Sequence, residues 1–437
     1  MARQIKDSGV DWIGKIPKEW EVCKLKKLIT FINGYPFDSS VMGDEGNCSV
    51  VRIGDLQNNG VAYDTALKVE YHDGLSKYLI RNDDILIAMS GATVGKFAIV
   101  NNITKSACVN QRVGIIRSNI SGYLKYVLAS SGFSSYITLL SEGTAQPNIS
   151  TTNINNFSIC IPPPAETQII IAYLDTKCAE IDKVVEQTRA TIVEYKKLKQ
   201  AIITEAVTKG VRGARPMKPS GVEWIGDIPE EWRVGRIKDF AQLQTGATPS
   251  TSCPHYFNGE IPWFTPGDFS ESFEVTVSQR TLSKQAEDEK QAVILPPQTP
   301  LLVGIGASAG KVSFSQVKCS CNQQVTALIE CSANPKLLTY ILEAGRVYLR
   351  DTAAFTTLPI INNQTLGYFK IAVPTCVAEQ QEIATYLDTK CAEIDRIIEK
   401  KEQLIKELGS YKKSLIYEYV TGKKEIKIHN YSQNTIY

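Results

Sequence analysis

Two stretches of the chain repeat apolar residues at helical spacing. The first runs Leu174, Cys178, Ile181, Val185, then Ile192, Tyr195, Leu198, Ile202 and Ala206. Its steps are mostly three and four, which is the seam of a coiled coil. Three prolines at 162–164 punctuate its start and Gly210 its end, with neither Gly nor Pro between. The second stretch runs Ile383, Leu387, Cys391, Ile394, Ile398, Ile405, Leu408, Tyr411, Leu415 and Tyr419 and ends near Gly422. Thr188 and Lys401 interrupt the two seams, and Gly409 lies inside the second; these mark expected points of fraying or crossing.

Elsewhere the pattern changes. Short β-branched runs such as residues 84–88 and 293–295, bounded by Gly, Pro, Asn and Ser, predict strands. Residues 123–130 and 336–348 predict helices. The fold class expected is therefore α/β or α+β, with a substantial mixed sheet in each non-coiled part.

The chain is written twice. Ser8-Gly9-Val10-Asp11-Trp12-Ile13-Gly14 recurs as Ser220-Gly221-Val222-Glu223-Trp224-Ile225-Gly226, and Leu174 to Asp182 recurs unchanged at Leu387 to Asp395. Between these close matches lie two divergent parts, 29–164 and 241–375. They share only landmarks: Gly34 and Gly246; Gly54-Asp55 and Gly267-Asp268; Gly91 to Lys96 and Gly306 to Lys311; Asn110-Gln111 and Asn322-Gln323. They share a fold but not a surface. The expected organisation is a first head over 1–164, a helical spacer over 165–210, a second head over 211–375, a helical spacer over 376–425 and a polar tail over 426–437. A seam about 60 Å long needs cover, and its nearest partner is its own duplicate. Antiparallel pairing of the two helices would separate the heads and give a pseudo-two-fold arrangement.

Composition narrows the function. The chain has 437 residues and a net charge of +2. Residues 29–160 and 241–372 each hold nine Lys/Arg against ten Asp/Glu, so charge does not announce nucleic acid. Eleven scattered cysteines, a polar N-terminus and the lack of a long apolar run point to a cytoplasmic protein with free thiols. No Gly-x-x-x-x-Gly-Lys-Ser/Thr phosphate loop is present, because only three residues separate Gly91 from Gly95. His72, His255 and His429 form no triad or metal pattern, so no catalytic residue and no metal ligand is assigned.

At this point the residues carry a resemblance. Head-helix-head-helix order resembles the specificity subunit of type I restriction–modification systems. So do Ile161-Pro162-Pro163-Pro164-Ala165-Glu166-Thr167-Gln168 leading into Leu174-Asp175, Val373-Pro374 followed by Glu379-Gln380-Gln381-Glu382-Ile383-Ala384, and the twice-occurring Gly-Val-x-Trp-Ile-Gly. The first copy departs from the family pattern at Thr167. The second has Thr375-Cys376-Val377 where the first has Pro163-Pro164. The resemblance implies two target-recognition domains, each reading half of an asymmetric bipartite DNA site. It implies helices that set the spacer and dock two modification (methyltransferase) subunits, with restriction (translocase/endonuclease) subunits joining. S-adenosylmethionine and ATP with Mg would then serve those partner subunits, and the chain itself would be non-catalytic, with no cofactor. The competing reading is a coiled-coil scaffold whose near-neutral heads bind protein.

Within the resemblance, the candidate double-stranded DNA contacts are Arg52 (Phe264 or Thr265 stand nearby in the second head), Asn58, Thr93, Lys96, Gln111, Gln146 and Asn148 in the first head, and Ser308, Lys311 and Gln323 in the second. Glycines allow close backbone approach and lysine can meet phosphate. Asn and Gln can pair with adenine edges, although Asn110-Gln111 and Asn322-Gln323 read rather as structural amides fixing a turn. Residues common to both heads cannot encode different sequences, so specificity should lie where the heads differ. Leu174, Ile181, Val185, Ile192, Leu387, Ile394, Ile398 and Ile405 are the candidates for helix seam and partner docking.

Overall fold

The structure is a computed structural model in which the described residues are 3–57, 60–141, 147–269, 273–352, 354–355 and 359–426. Two compact units emerge, 1–188 with 403–437, and 189–402. Each contains one head and half of each long helix. The helices are unbroken, Pro164–Lys209 and Val377–Val420. Among the described residues no helix is long and apolar enough to cross a membrane.

In the first unit an antiparallel sheet runs in the order Phe97–Ile99, Ile85–Ala88, Val113–Arg117, Thr30–Asn33. Beside it Cys48–Val51 pairs parallel with Ala107–Val109 and antiparallel with Leu67–Val69. Glu21–Lys24 pairs with Ser158–Ile161, which leads into the long helix. In the second unit Gln242–Thr245, Val325–Ile329, Thr299–Val303, Val312–Ser315 and Glu274–Val275 form one sheet. Thr281–Leu282, Phe257–Phe264, Cys319–Cys321 and Ile294–Leu295 form another, with Phe257–Phe264 parallel to Cys319–Cys321. Trp232–Arg236 pairs with Lys370–Pro374. Both heads are thus mixed α/β folds.

Each long helix is fastened to its head by the same group of residues. Glu166, in the first turn of its helix, accepts a hydrogen bond from Trp20 Nε1 at 2.9 Å and an ion pair from Arg3 at 2.7 Å. Glu379 accepts from Trp232 Nε1 at 3.2 Å and from Arg215 at 2.6 Å. Both arginines lie over the corresponding indole, 5.8 and 5.5 Å from its centroid. A carboxylate in the first helical turn also meets the positive end of the helix dipole. Two turns further on, Asp175 accepts from Tyr126 and Lys125, and Asp388 accepts from Tyr340 and Lys336. Burial first, then Asp175 for Tyr126 and Cys391 with Asp388 for Tyr340, raises both tyrosine hydroxyls, so they remain donors.

The helix halves pair antiparallel inside each unit. In the first, Tyr173 packs on Tyr419 and Asp182 binds Lys412 at 2.6 Å. In the second, Tyr195 faces Lys401 and Lys199 binds Asp395 at 2.7 Å. Residue numbers rise along one helix as they fall along the other. Leu174, Cys178 and Ile181 join the first unit's core with Leu415, Ile416 and Tyr419. Leu387 and Cys391 join the second unit's core with Ile203, Ala206 and Val207. Ile192, Ile394 and Ile398 are buried, and Val185 and Ile405 half-buried.

Three sequence expectations change. Leu198 and Tyr411 do not belong to the seam; they are 48% and 55% exposed. Thr188 and Gly409 do not fray the helices, since Thr188 Oγ1 donates to Val184 O at 2.7 Å and Gly409 sits in open space. The helix expected over 336–348 is two, Pro335–Ala344 and Arg346–Asp351. The break falls at Gly345, where a Cβ would lie 2.8 Å from Phe369 and 3.3 Å from Trp224. The first head also breaks, at Ser130 between Ser121–Ala129 and the unanticipated helix Ser131–Ser141, in whose first turn a Cβ on Gly132 would strike Trp12 at 2.0 Å. Trp12 stacks on Phe157 and Trp224 on Phe369, at 5.2 and 5.4 Å.

The carboxylate of Glu379 is 1% exposed and that of Glu166 25%. Glu379→Ala leaves Arg215 and the Trp232 N–H without their buried partner and should cost about 3–5 kcal/mol. Glu166→Ala should cost less, because water can replace part of its pairing. Thermal unfolding of both variants checks this; equal, small losses would contradict it.

Candidate nucleic-acid interface

The landmarks shared by the two heads meet in one place. In the first head, the strand Thr30–Asn33 ends at Gly34, where a Cβ would lie 2.1 Å from Asn110 O. Only glycine lets these backbones approach so closely. Asn110 N donates to Val51 O at 3.0 Å, and Tyr35 N to Val109 O at 2.9 Å. Asn110 then turns the chain: Val113 N donates to its carbonyl at 2.8 Å and Arg112 N to its side chain at 3.4 Å. Arg112 O accepts from Met89 N at 2.8 Å. The next residues, Ser90 to Lys96, form a tight turn with Gly91 and Gly95 at φ 84° and 81°. Gly91 N donates to Pro147 O, and Ile149 N to Met89 O, both at 2.9 Å. Arg52, Gln111, Thr93, Lys96 and Asn148 therefore lie along one hydrogen-bonded edge. Asn58 and Gln146 lie outside the described residues.

The second head repeats this path bond for bond. The Cβ of Gly246 would lie 2.2 Å from Cys321 O, and Asn322 N donates to Phe264 O at 3.0 Å. Val325 N donates to Asn322 O at 3.1 Å and Gly304 N to Gln324 O at 2.7 Å. Gly306 and Gly310 take φ 110° and 88°; Gly306 N donates to Pro359 O at 3.2 Å and Ile361 N to Gly304 O at 2.7 Å. The equivalence also identifies the counterpart of Arg52. Asp55 accepts from Arg52 N and Asp268 from Thr265 N, each at 2.8 Å, so the matching residue is Thr265 rather than Phe264.

Identical backbone carries different side chains. Arg52 stands where the second head has Thr265, Tyr35 where it has Ala247, Arg112 where it has Gln324, and Asn148 where it has Ile360. Arg52, Asn110, Gln111 and Arg112 line an open cleft of about 520 Å³ with Phe37 and Met42. Arg52 keeps its side chain 42% exposed while touching Asp55 at 3.4 Å. Gln111 and Arg112 are exposed. In the second head Gln324 is drawn back, accepting from Asn322 Nδ2 at 3.1 Å, and Gln323 accepts from Thr248. Asn110 and Asn322 act as turn-fixing amides. Lys311 is half-buried and donates to Phe269 O at 3.2 Å; Lys96 is half-buried, Ser308 half-buried and Thr93 exposed.

Sequence reasoning missed Arg112, Tyr35 and Gln324. The signal was present in their adjacency to shared landmarks, but only the matched hydrogen bonds show that these are equivalent positions with unlike side chains. Thr167, the departure noted above, is buried and donates to Pro163 O at 3.1 Å. Its counterpart Gln380 bridges Pro374 O and Asn334 N, at 2.8 and 2.7 Å.

Two heads that present different side chains on matching backbone edges, each latched to a long helix, define a duplicated two-domain protein. The chain belongs to the family described as the type I restriction modification DNA specificity domain, whose pattern matches twice, over 17–192 and 229–407. It is accordingly a type I specificity subunit, the DNA-recognition rather than the catalytic component. Relatives include the type I restriction enzyme MjaVIII specificity subunit of Methanocaldococcus jannaschii, 25% identical over 95% of this chain and 96% of that one. The StySPI specificity subunit of Salmonella potsdam is 23% identical over 94% and 90%. A chain from a solved type I R-M system has the same fold, with TM-score 0.70, 16% identity and coverage of 94% and 99%.

Arg112→Ala should lower discrimination at one position of one half-site by about 1–3 kcal/mol and leave the other half-site intact. Competition binding with single-base variants of the site measures this. A uniform loss across all sequences would show that Arg112 does not read a base.

Proposed function

We propose that each head reads one half of an asymmetric, bipartite DNA site through the edge just described, and that the helices set the spacer and dock two methyltransferase subunits. The observation that carries the reading is the pair of matching backbone edges with unlike side chains. A scaffold with no readout would need no such matched presentation of divergent groups in its two halves. Direct readout requires side chains of different hydrogen-bonding pattern held at fixed positions against base edges.

The docking part rests on apolar residues that the helix pairs leave uncovered. Val184 and Leu198 on the first helix are 42% and 48% exposed; their repeat counterparts Ile397 and Tyr411 are 37% and 55% exposed. The Asp182–Lys412 pair puts Val184 and Tyr411 at adjoining levels of one helix pair, and Lys199–Asp395 does the same for Leu198 and Ile397. Two equivalent apolar patches suit two copies of one partner. In this reading S-adenosylmethionine, and ATP with Mg for restriction, are used by the partner subunits.

Footprinting of the chain reconstituted with its methyltransferase should show two protected patches separated by an unprotected spacer, on a selected duplex but not a random one. A single continuous palindromic footprint would refute the bipartite reading. Equal affinity for selected and random duplexes would favour the protein-binding scaffold.

A further inference from the structure

Each head carries a cationic cluster away from its reading edge. In the first, Lys24, Lys26 and Lys27 are exposed on and beside the turn Leu25–Lys27. In the second, Arg236, Lys238 and exposed Lys370 occupy the equivalent place around Ile237–Asp239. Both turns are bound to the end of a short helix, Thr151–Asn156 or Asn363–Tyr368: Leu25 N donates to Phe157 O at 2.9 Å and Ile237 N to Phe369 O at 3.0 Å. Lys24 Nζ donates to Asn156 Oδ1 at 3.2 Å, and Lys238 Nζ lies 3.6 Å above the Tyr368 ring. In the second head one cation is offset, because Arg236 pairs with Asp239 at 2.8 Å.

The other end of each short helix belongs to the reading edge. Thr151 follows Ile149 and Ser150 and donates to Asn33 at 2.9 Å; Asn363 follows Ile361 and Asn362 and donates to Thr245 at 2.9 Å. Six helical residues span about 9 Å, within three base-pair steps of about 3.4 Å. Each cationic cluster therefore lies one short, uncharged helix away from the edge of its head.

The two heads differ over most of their surfaces, yet a cation persists at 24 and 236 and at 26 and 238, although lysine has become arginine at the first pair. A feature common to both heads cannot encode two different half-sites. A shared charge does a sequence-independent task, and the duplex offers one in its phosphates. This also accounts for the near-neutral head composition, since all but Lys370 of these cations fall outside residues 29–160 and 241–372.

We propose that Lys24, Lys26 and Lys27 in the first head, and Arg236, Lys238 and Lys370 in the second, bind DNA phosphates flanking each half-site and clamp the duplex without reading it. This rests on the DNA-reading role of the adjoining edge. The alternative partner for the same cations is an acidic face of the methyltransferase.

The test uses the full chain assembled with its methyltransferase, comparing wild type with K24A/K26A/K27A, K238A/K370A and the charge-keeping K24R/K26R/K27R. Affinity for selected and random duplexes is measured across salt concentrations. Each lost phosphate contact should lower the slope of log K against log salt by about 0.9, so the triple alanine variant should lose about 1 to 3 in slope. Affinity should fall by a similar factor on both duplexes, the methylated sequence should stay the same, and the arginine variant should restore the slope. An unchanged slope in a folded assembly overturns the proposal. So does failure to assemble with the methyltransferase while DNA binding keeps its wild-type slope. If wild type itself fails to discriminate between the duplexes, the edge reading has failed instead.

Discussion

The carboxylate in the first turn of each long helix, buried at Glu379 and half-buried at Glu166, organises the rest of its unit. Glu166 and Glu379 each hold a tryptophan N–H and an arginine from earlier in the chain. Those contacts tie the start of the helix to its head, and the carboxylate also faces the positive end of the helix dipole. The tyrosine–aspartate bonds two turns later fix the rotation of the helix against the head. With entry point and rotation set, the seam residues face inward, and Asp182–Lys412 and Lys199–Asp395 fall into register. A buried charge pair of this kind is weak as a source of net stability. Its strength is that the wrong arrangement leaves a charge unpaired.

The sequence showed most of this at the level of architecture. The heptad-like spacing and the two internal repeats were sufficient to place both long helices. The latch was half visible: Glu166, Trp20 and Arg3 recur as Glu379, Trp232 and Arg215, but spacing alone does not reveal that residues some 150 positions apart touch. Leu198 and Tyr411 show where periodicity fails. They continue an apolar rhythm, but burial depends on a partner helix being within reach, and pattern carries no information about that. The break at Gly345 was equally hidden, because the rings packed against it, Phe369 and Trp224, come from other elements of the chain.

The reading edge illustrates the same limit in the functional part. Gly34, Gly246 and the two Asn-Gln pairs stood out as shared landmarks, and they prove to be the framework, set by close backbone approach and turn-fixing amides. The residues that differ at matched positions, Arg52 and Thr265 or Arg112 and Gln324, could be aligned only through equivalent hydrogen bonds. Duplication thus separates labour within the chain. What the copies share builds, latches and carries charge; what they do not share is free to diverge, because side chains on the edge are not needed to hold it together.

That separation makes one direct demand. Replacing residues 241–375 with residues 29–164 gives a chain with two copies of the same head on unchanged helices. The methylated sequence of that chain, assembled with its methyltransferase and mapped across a genome, tests the account. It predicts the first head's half-site twice, across the wild-type spacer. Retention of two different half-sites, or a changed spacer in a folded assembly, would contradict it.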